Sequence, residues 1–231
     1  MALIRPGSLA GQVSGSLGNT VFSHNRYGAY IRKRTKPTLV TNANTLAARG
    51  RLVAASQNWG TLDEATKRAW ASWAQGNPIT NRLGDRHTLT GHAAYVQLNS
   101  RIQLAGGALL ELPPTAIAPP SLDTLALEAD IGVGDFEATF TPTPLATGLA
   151  AYIQAAVLEQ PGQAYYKNKL KLVYVGAGAT ASPVALQSAI EDRFGALQVG
   201  HRVVLLGSVL DTATGLLSGA RTVEAEVVST T

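Results

Sequence analysis

Between Gly15 and Pro37 runs GSLGNTVFSHNRYGAYIRKRTKP, in which Arg26, Arg32, Lys33, Arg34 and Lys36 stand among Phe22, Tyr27 and Tyr30 with no acidic residue. Cations at this density neutralise phosphates, and aromatic rings set between them stack on bases. The same residue types also serve protein interfaces, where the planar fork of arginine binds a carboxylate through two hydrogen bonds. The segment therefore reads as a binding element for an acidic partner, a neighbouring subunit or a nucleic acid. No zinc-finger, ribonucleoprotein or helix-turn-helix motif accompanies it, which favours the protein partner and leaves DNA as the alternative.

No other constellation points to chemistry. GSLGN lacks the GxxxxGK(S/T) spacing of a phosphate loop, so its glycines read as turn residues of an extended arm. Of His24, His87, His92 and His201, the pair at 87 and 92 is five residues apart and does not share a helical face. Asp63 with Glu64, and Glu191 with Asp192, are adjacent and point in different directions. Such pairs serve as caps and solvated charges rather than as a paired acid and base. No GxSxG elbow marks a nucleophile, and the absence of cysteine removes thiolate chemistry, disulfides and Cys metal sites. No enzyme activity, metal, cofactor or small-molecule substrate is expected.

The elements that position the basic segment follow from composition and pattern. The chain has 231 residues, 45% hydrophobic and 15% charged, which fits a folded protein of two domains. It contains no run of about 18 apolar residues, so no membrane helix is expected. The opening MALIRPGSLAGQV also lacks the apolar core of a secretory signal. Charge is divided along the chain. Residues 1–112 hold 13 Lys/Arg against 4 Asp/Glu, a net of +9, and residues 113–231 hold 6 against 11, a net of −5. No acid precedes Asp63. Such a split speaks of partners rather than of fold.

The pattern predicts an extended basic arm or ribbon over 1–43, a small three-helix domain over 44–108, a proline-rich linker over 109–121 and a β-domain over 122–231. In the arm, TVFSHNRYGAYIRKR alternates with a period of two, a strand or a hairpin turning at His24–Asn25. The first helix is expected to start at a cap on Asn44 or Thr45 and to turn Leu46, Leu52, Val53 and Trp59 inward. Thr61 with Glu64 matches a capping box for the second helix, with Leu62, Ala65, Ala69, Trp70 and Trp73 facing the core. Trp59, Trp70 and Trp73 are expected to form the core of the helical domain. The third helix buries Tyr95, Leu98 and Ile102. Beyond the prolines, LDTLALEAD, FEATFTPT, AAYIQAAVLE, LKLVYVGAG, RVVLLGSVLD and RTVEAEVVS read as strands. One helix interrupts them, with Ser182 as cap and Pro183 in its first turn. Lys167, Lys169 and Lys171 would line one face of an edge strand, where lysine discourages unwanted pairing. The fold class is α+β, with a C-terminal antiparallel sandwich carrying one inserted helix.

Two resemblances extend this reading. GHRVVLLGSVLDTATGLLSGARTVEAEVV resembles the closing hairpin of a fibronectin type III domain, although the tyrosine usual near the start of its penultimate strand is absent and His201 or Val203 stands there. Residues 11–106 resemble a module of phage and prophage structural proteins. GSLG, VFSHNRYGAYIR, SQNWGTLDEATKRAWASWA and TGHAAYVQLN carry that likeness. It implies a non-enzymatic virion component (tail, connector or capsid-associated) made in the bacterial host cytoplasm. Its partners would be other copies of itself and other virion proteins, with no membrane.

Overall fold

Glycine-punctuated alternation in the first 35 residues gives strands, and the alanine-rich stretch that follows gives helices. The computed structural model describes residues 2–4, 13–35, 42–80, 85–132, 136–160 and 162–229. Among the described residues are four helices and several antiparallel sheets, an α+β fold. Contacts divide the chain into one unit of residues 1–96 with 111–113 and another of residues 97–110 with 114–231. The segment 109–121, read as a linker, is thus shared between the two units.

The first unit opens with β1 (Ala2–Ile4), β2 (Gly15–Leu17), β3 (Thr20–Asn25) and β4 (Gly28–Lys33). They form an antiparallel sheet in the order β1-β4-β3-β2. Helices α1 (Ala43–Thr61) and α2 (Glu64–Gly76), the short ribbon β5 (Ile79–Thr80) and β6 (Arg86–His87), and the start of α3 (Gly91–Leu104) complete it. The caps differ from the sequence reading. Asn42 caps α1 by accepting from Thr45 N at 2.8 Å. Asp63, not Thr61, caps α2, accepting from Thr66 N at 2.8 Å. The first helix runs on through Thr61, so the next extended residue able to cap is Asp63.

An aromatic cluster holds the helices. Trp70 is fully buried, with its ring edge-on to Trp73 at 5.9 Å and to Tyr95 at 5.2 Å. Trp59 lies 5.3 Å from Tyr95, whose hydroxyl accepts from Asn58 Nδ2 at 2.6 Å. Trp59 and Trp73 are half-buried. Gly91 lets α3 begin against α2, since a Cβ there would lie 2.8 Å from Ala71 N.

In the second unit β10 (Lys171–Val175), β9 (Leu149–Leu158), β12 (Arg202–Asp211) and β13 (Arg221–Glu226) make one sheet in that order. A second sheet has the order β11 (Val184–Ala185), β8 (Phe136–Thr141), β7 (Thr124–Ala129). The core draws Phe136, Phe140 and Val184 from the smaller sheet, Ile153 and Leu205 from the larger, and Ile190 from α4 (Gln187–Phe194). Strands β9 and β12 pair over ten residues, from Arg202 with Leu158 to Asp211 with Leu149. Their opposite face is covered too, for Ala150, Ala156, Val204 and Leu210 are all 0% exposed.

The six strands read from the sequence occur, with β12 at the expected bounds. The segment 183–185 departs from expectation. Val184 pairs with Ala138 as strand β11, and α4 starts only at Gln187. Ser182 does not cap a helix; its Oγ accepts from Phe140 N at 3.1 Å. The lysine face also shortens, because β10 begins at Lys171 and leaves Lys167 and Lys169 outside the strand. The Lys171 ammonium instead donates to Arg193 O at 2.7 Å and sits 4.3 Å over the Phe194 ring.

Asn99, 0% exposed on the C-terminal half of α3, imitates a strand partner for Leu110. It accepts from Leu110 N at 2.6 Å and donates to Leu110 O at 3.1 Å. Asn99→Ala strands both backbone groups, and we expect a loss of about 2–3 kcal/mol in urea unfolding followed by fluorescence. A separate test concerns Asp63. Hydrogen bonds from Thr66, side chain first and backbone second, hold its carboxyl below the ordinary value. A lowered folded-state pKa adds stability above the unfolded-state pKa and loses it as pH falls through the folded one. The stability gap between wild type and Asp63→Ala should therefore narrow as thermal melts are taken from about pH 6 to about pH 2.

Candidate functional site

The basic segment folds as the β3–β4 hairpin, and its turn falls at Arg26–Tyr27 rather than at His24–Asn25. Two local features fix that position. The side chain of Asn25 accepts from Tyr27 N at 2.9 Å, and Gly28 follows the turn at φ 113, a conformation that strains an L side chain.

The turn re-sorts the faces. Directly paired residues of antiparallel strands lie on one face. Pairing of Ser23 with Tyr30 and Val21 with Arg32 puts these four together. Pairing of Phe22 with Ile31 and Thr20 with Lys33 puts those four on the other side. In one continuous strand Phe22, Tyr30 and Arg32 would instead share a face.

The basic residues are therefore distributed. Arg26 is exposed at the turn, while Arg32, Lys33 and Arg34 are exposed at the far end. The six residues of β4 separate these ends by about 20 Å. Arg34 N donates to Asn19 O at 2.7 Å, which ties the basic end to the β2–β3 turn. Lys36 lies outside the described residues. Tyr27 is 41% exposed, and its ring meets His87 edge-on at 4.3 Å. Tyr30 is half-buried.

Near the turn, Arg26 lines a cavity of about 590 Å³ with Gln75, His87, Thr88 and Thr90. Thr90 is committed to capping α3 through Ala93 N at 3.0 Å. Among the described residues no group of three His, Asp or Glu is placed to hold a metal ion, and no helix is long and apolar enough to cross a membrane.

A second surface was missed by the sequence reading. The stripe expected inside α1 lies largely outside. Leu46 is 54% exposed, Leu52 47% and Val53 52%. The helix instead turns Ala55 into the core, with Ala48, Asn58 and Trp59 half-buried beside it. Alanine at the contact lets the helix approach closely, and Asn58 and Trp59 then reach Tyr95. The available signal was the pair Ala48 and Ala55, seven residues apart on one helical face.

Replacing Gly28 by valine should strain the turn by about 1–2 kcal/mol and displace Tyr27 from His87. Loss of the Tyr27–His87 contact in NMR spectra, with the helices intact by circular dichroism, is the expected result. No family model, no curated protein and no solved structure matches this chain.

Proposed function

We propose that this chain is a non-enzymatic structural component of a phage particle. It assembles with other copies of itself and with other virion proteins through its basic N-terminal sheet. The carrying observation is electrostatic. Arg32, Lys33 and Arg34 are exposed together at one end of that sheet, in a stretch with no acid before Asp63, while residues 113–231 carry a net of −5. A surface of that kind meets a carboxylate-rich neighbour.

In the same reading the second unit is a fibronectin III-like sandwich with α4 inserted between β11 and β12. Among the described residues its seven strands divide into sheets of three and four, with β9 pairing β12 and β8 pairing β11. Long-range pairings of this kind within each of two antiparallel sheets are what such sandwiches use.

Nucleic acid is the rival partner. Its case is weakened by the hairpin. Phe22 and Tyr30 take opposite faces, and Tyr27 packs on His87, so the rings do not line up as a stacking platform beside the cations.

Light scattering on the full-length protein and on an R32E/K33E/R34E variant tests the proposal, at low and high salt, with and without duplex DNA. The wild type should form a defined oligomer without DNA that weakens in high salt, and the variant should be monomeric with an unchanged circular dichroism spectrum. A wild type that stays monomeric alone yet binds DNA with a steep salt dependence would overturn it.

A further inference from the structure

The outward leucines of α1 need an explanation of their own. Leu46, Arg49 and Val53 are spaced by three and four residues and share one helical face, with Leu52 at its flank. All four are exposed, while the small side chain of Ala55 is fully buried. The helix thus shows solvent its larger aliphatic side chains and buries a smaller one. Contiguous exposed apolar surface with a charged neighbour marks an interaction site. Both charged residues of α1, Arg49 and Arg51, are cations.

The second unit carries a patch of the same kind and opposite sign. Val199 is 62% exposed and Val228 45%. Gly200 N donates to Val227 O at 2.9 Å, and Val227 N donates to His201 O at 2.8 Å, so the turn at 199–200 lies beside the end of β13. Val227 is buried, and the alternation about it turns Glu226 and Val228 outward on the same side. Val228 N donates to Ala129 O at 3.0 Å, which brings the end of β7, with exposed Glu128, to the same edge. Arg202 pairs with Glu226 in register, but its guanidinium is directed to Glu224 at 3.9 Å and to Gln163 O.

We propose that the α1 face of one copy docks on the Val199–Val228 patch of the next, with Arg49 meeting Glu226. The partner is a second copy of this chain, and the contact rests on the assembly reading above. Charge decides its form. Pairing α1 with α1 would set Arg49 against arginine, whereas the Val199–Val228 patch offers carboxylates. The contact is therefore head-to-tail, and it closes into a ring or runs on as a filament.

A few aliphatic side chains on each face fall well short of the roughly 800 Å² per partner that a stable interface buries. This contact therefore acts together with the basic sheet end, and each raises the effective concentration of the other.

A charge swap in the full-length protein tests the contact by sedimentation velocity over a range of concentrations. R49E and E226R should each weaken association by about tenfold, and the double variant should recover to within about threefold of wild type. V53S and V228S, at exposed positions, should each weaken it without moving the unfolding midpoint. Association unchanged in all four single variants, or a double swap no better than the worse single, overturns the contact. If those variants are inert while R32E/K33E/R34E abolishes association, assembly stands and this contact falls. A wild type that is monomeric throughout sinks both.

Discussion

Trp70 is 0% exposed, and its one N–H donor reaches the carbonyl of Glu111, forty-one residues on, at 2.7 Å. An indole N–H buried without an acceptor would cost about 1–3 kcal/mol, so the site is complete only when the chain returns to that carbonyl. Residues 111–113 accordingly belong with the first unit although the segments on either side belong with the second. With Trp70 fixed, Tyr95 packs on its ring, Asn58 bonds the Tyr95 hydroxyl, and α1 is held through Asn58 and Trp59. That choice of contact determines which side of α1 faces water. Leu46 and Val53 are outside because the indole and phenol rings engage the opposite stripe.

The second unit rests on the long pairing of β9 with β12. Burial on both faces explains why these strands read as nearly continuous apolar runs, AAYIQAAVLE and RVVLLGSVLD, rather than as clean alternation. Two buried hydroxyls of this unit serve backbone donors. Ser218 Oγ accepts from Val209 N at 2.8 Å, and Thr180 Oγ1 accepts from Ala151 N at 3.1 Å. Arg101 donates to Gly215 O at 3.3 Å; burial pulls its guanidinium below the ordinary value, partly offset by Tyr152.

Strands of the second unit were legible because β-branched and aliphatic runs are bounded there by glycine, proline and threonine, which state their own limits. Strand β11 was not legible. Two residues, Val184 and Ala185, carry no period, and Ser182–Pro183 imitates a helix start. Helices α1, α2 and α3 were legible as elements, and α3 also in the residues it buries, Tyr95, Leu98 and Ile102, but the orientation of α1 was not. Helical spacing alone scored Leu46, Leu52 and Val53 as a core stripe, since hydrophobicity says nothing of how closely a helix must approach. The alanine stripe, chosen by the Trp70–Tyr95 cluster, is a tertiary decision. In the basic segment the residue types were readable and their grouping was not. A turn two residues further along exchanges the partners of every side chain in the hairpin, and only the Asn25 cap and Gly28 fix it.

The charge split sets a further constraint on the isolated chain. Eight Lys/Arg and no acid occupy residues 1–62, so the basic sheet and α1 find no compensating carboxylate within their own stretch of sequence. Self-repulsion of this kind destabilises a compact state and is relieved by an acidic neighbour. Arg32, Lys33 and Arg34 are exposed, and a single surface ion pair made by any of them contributes about 0–1 kcal/mol. Charge alone therefore gives attraction and orientation but little affinity. In the proposed assembly the outward aliphatics of α1 would supply what charge lacks, because burying apolar area contributes about 25 cal/mol per Å² irrespective of salt screening. Under the proposed assembly, a subunit that combines both would associate weakly through either and firmly only when several copies engage both at once.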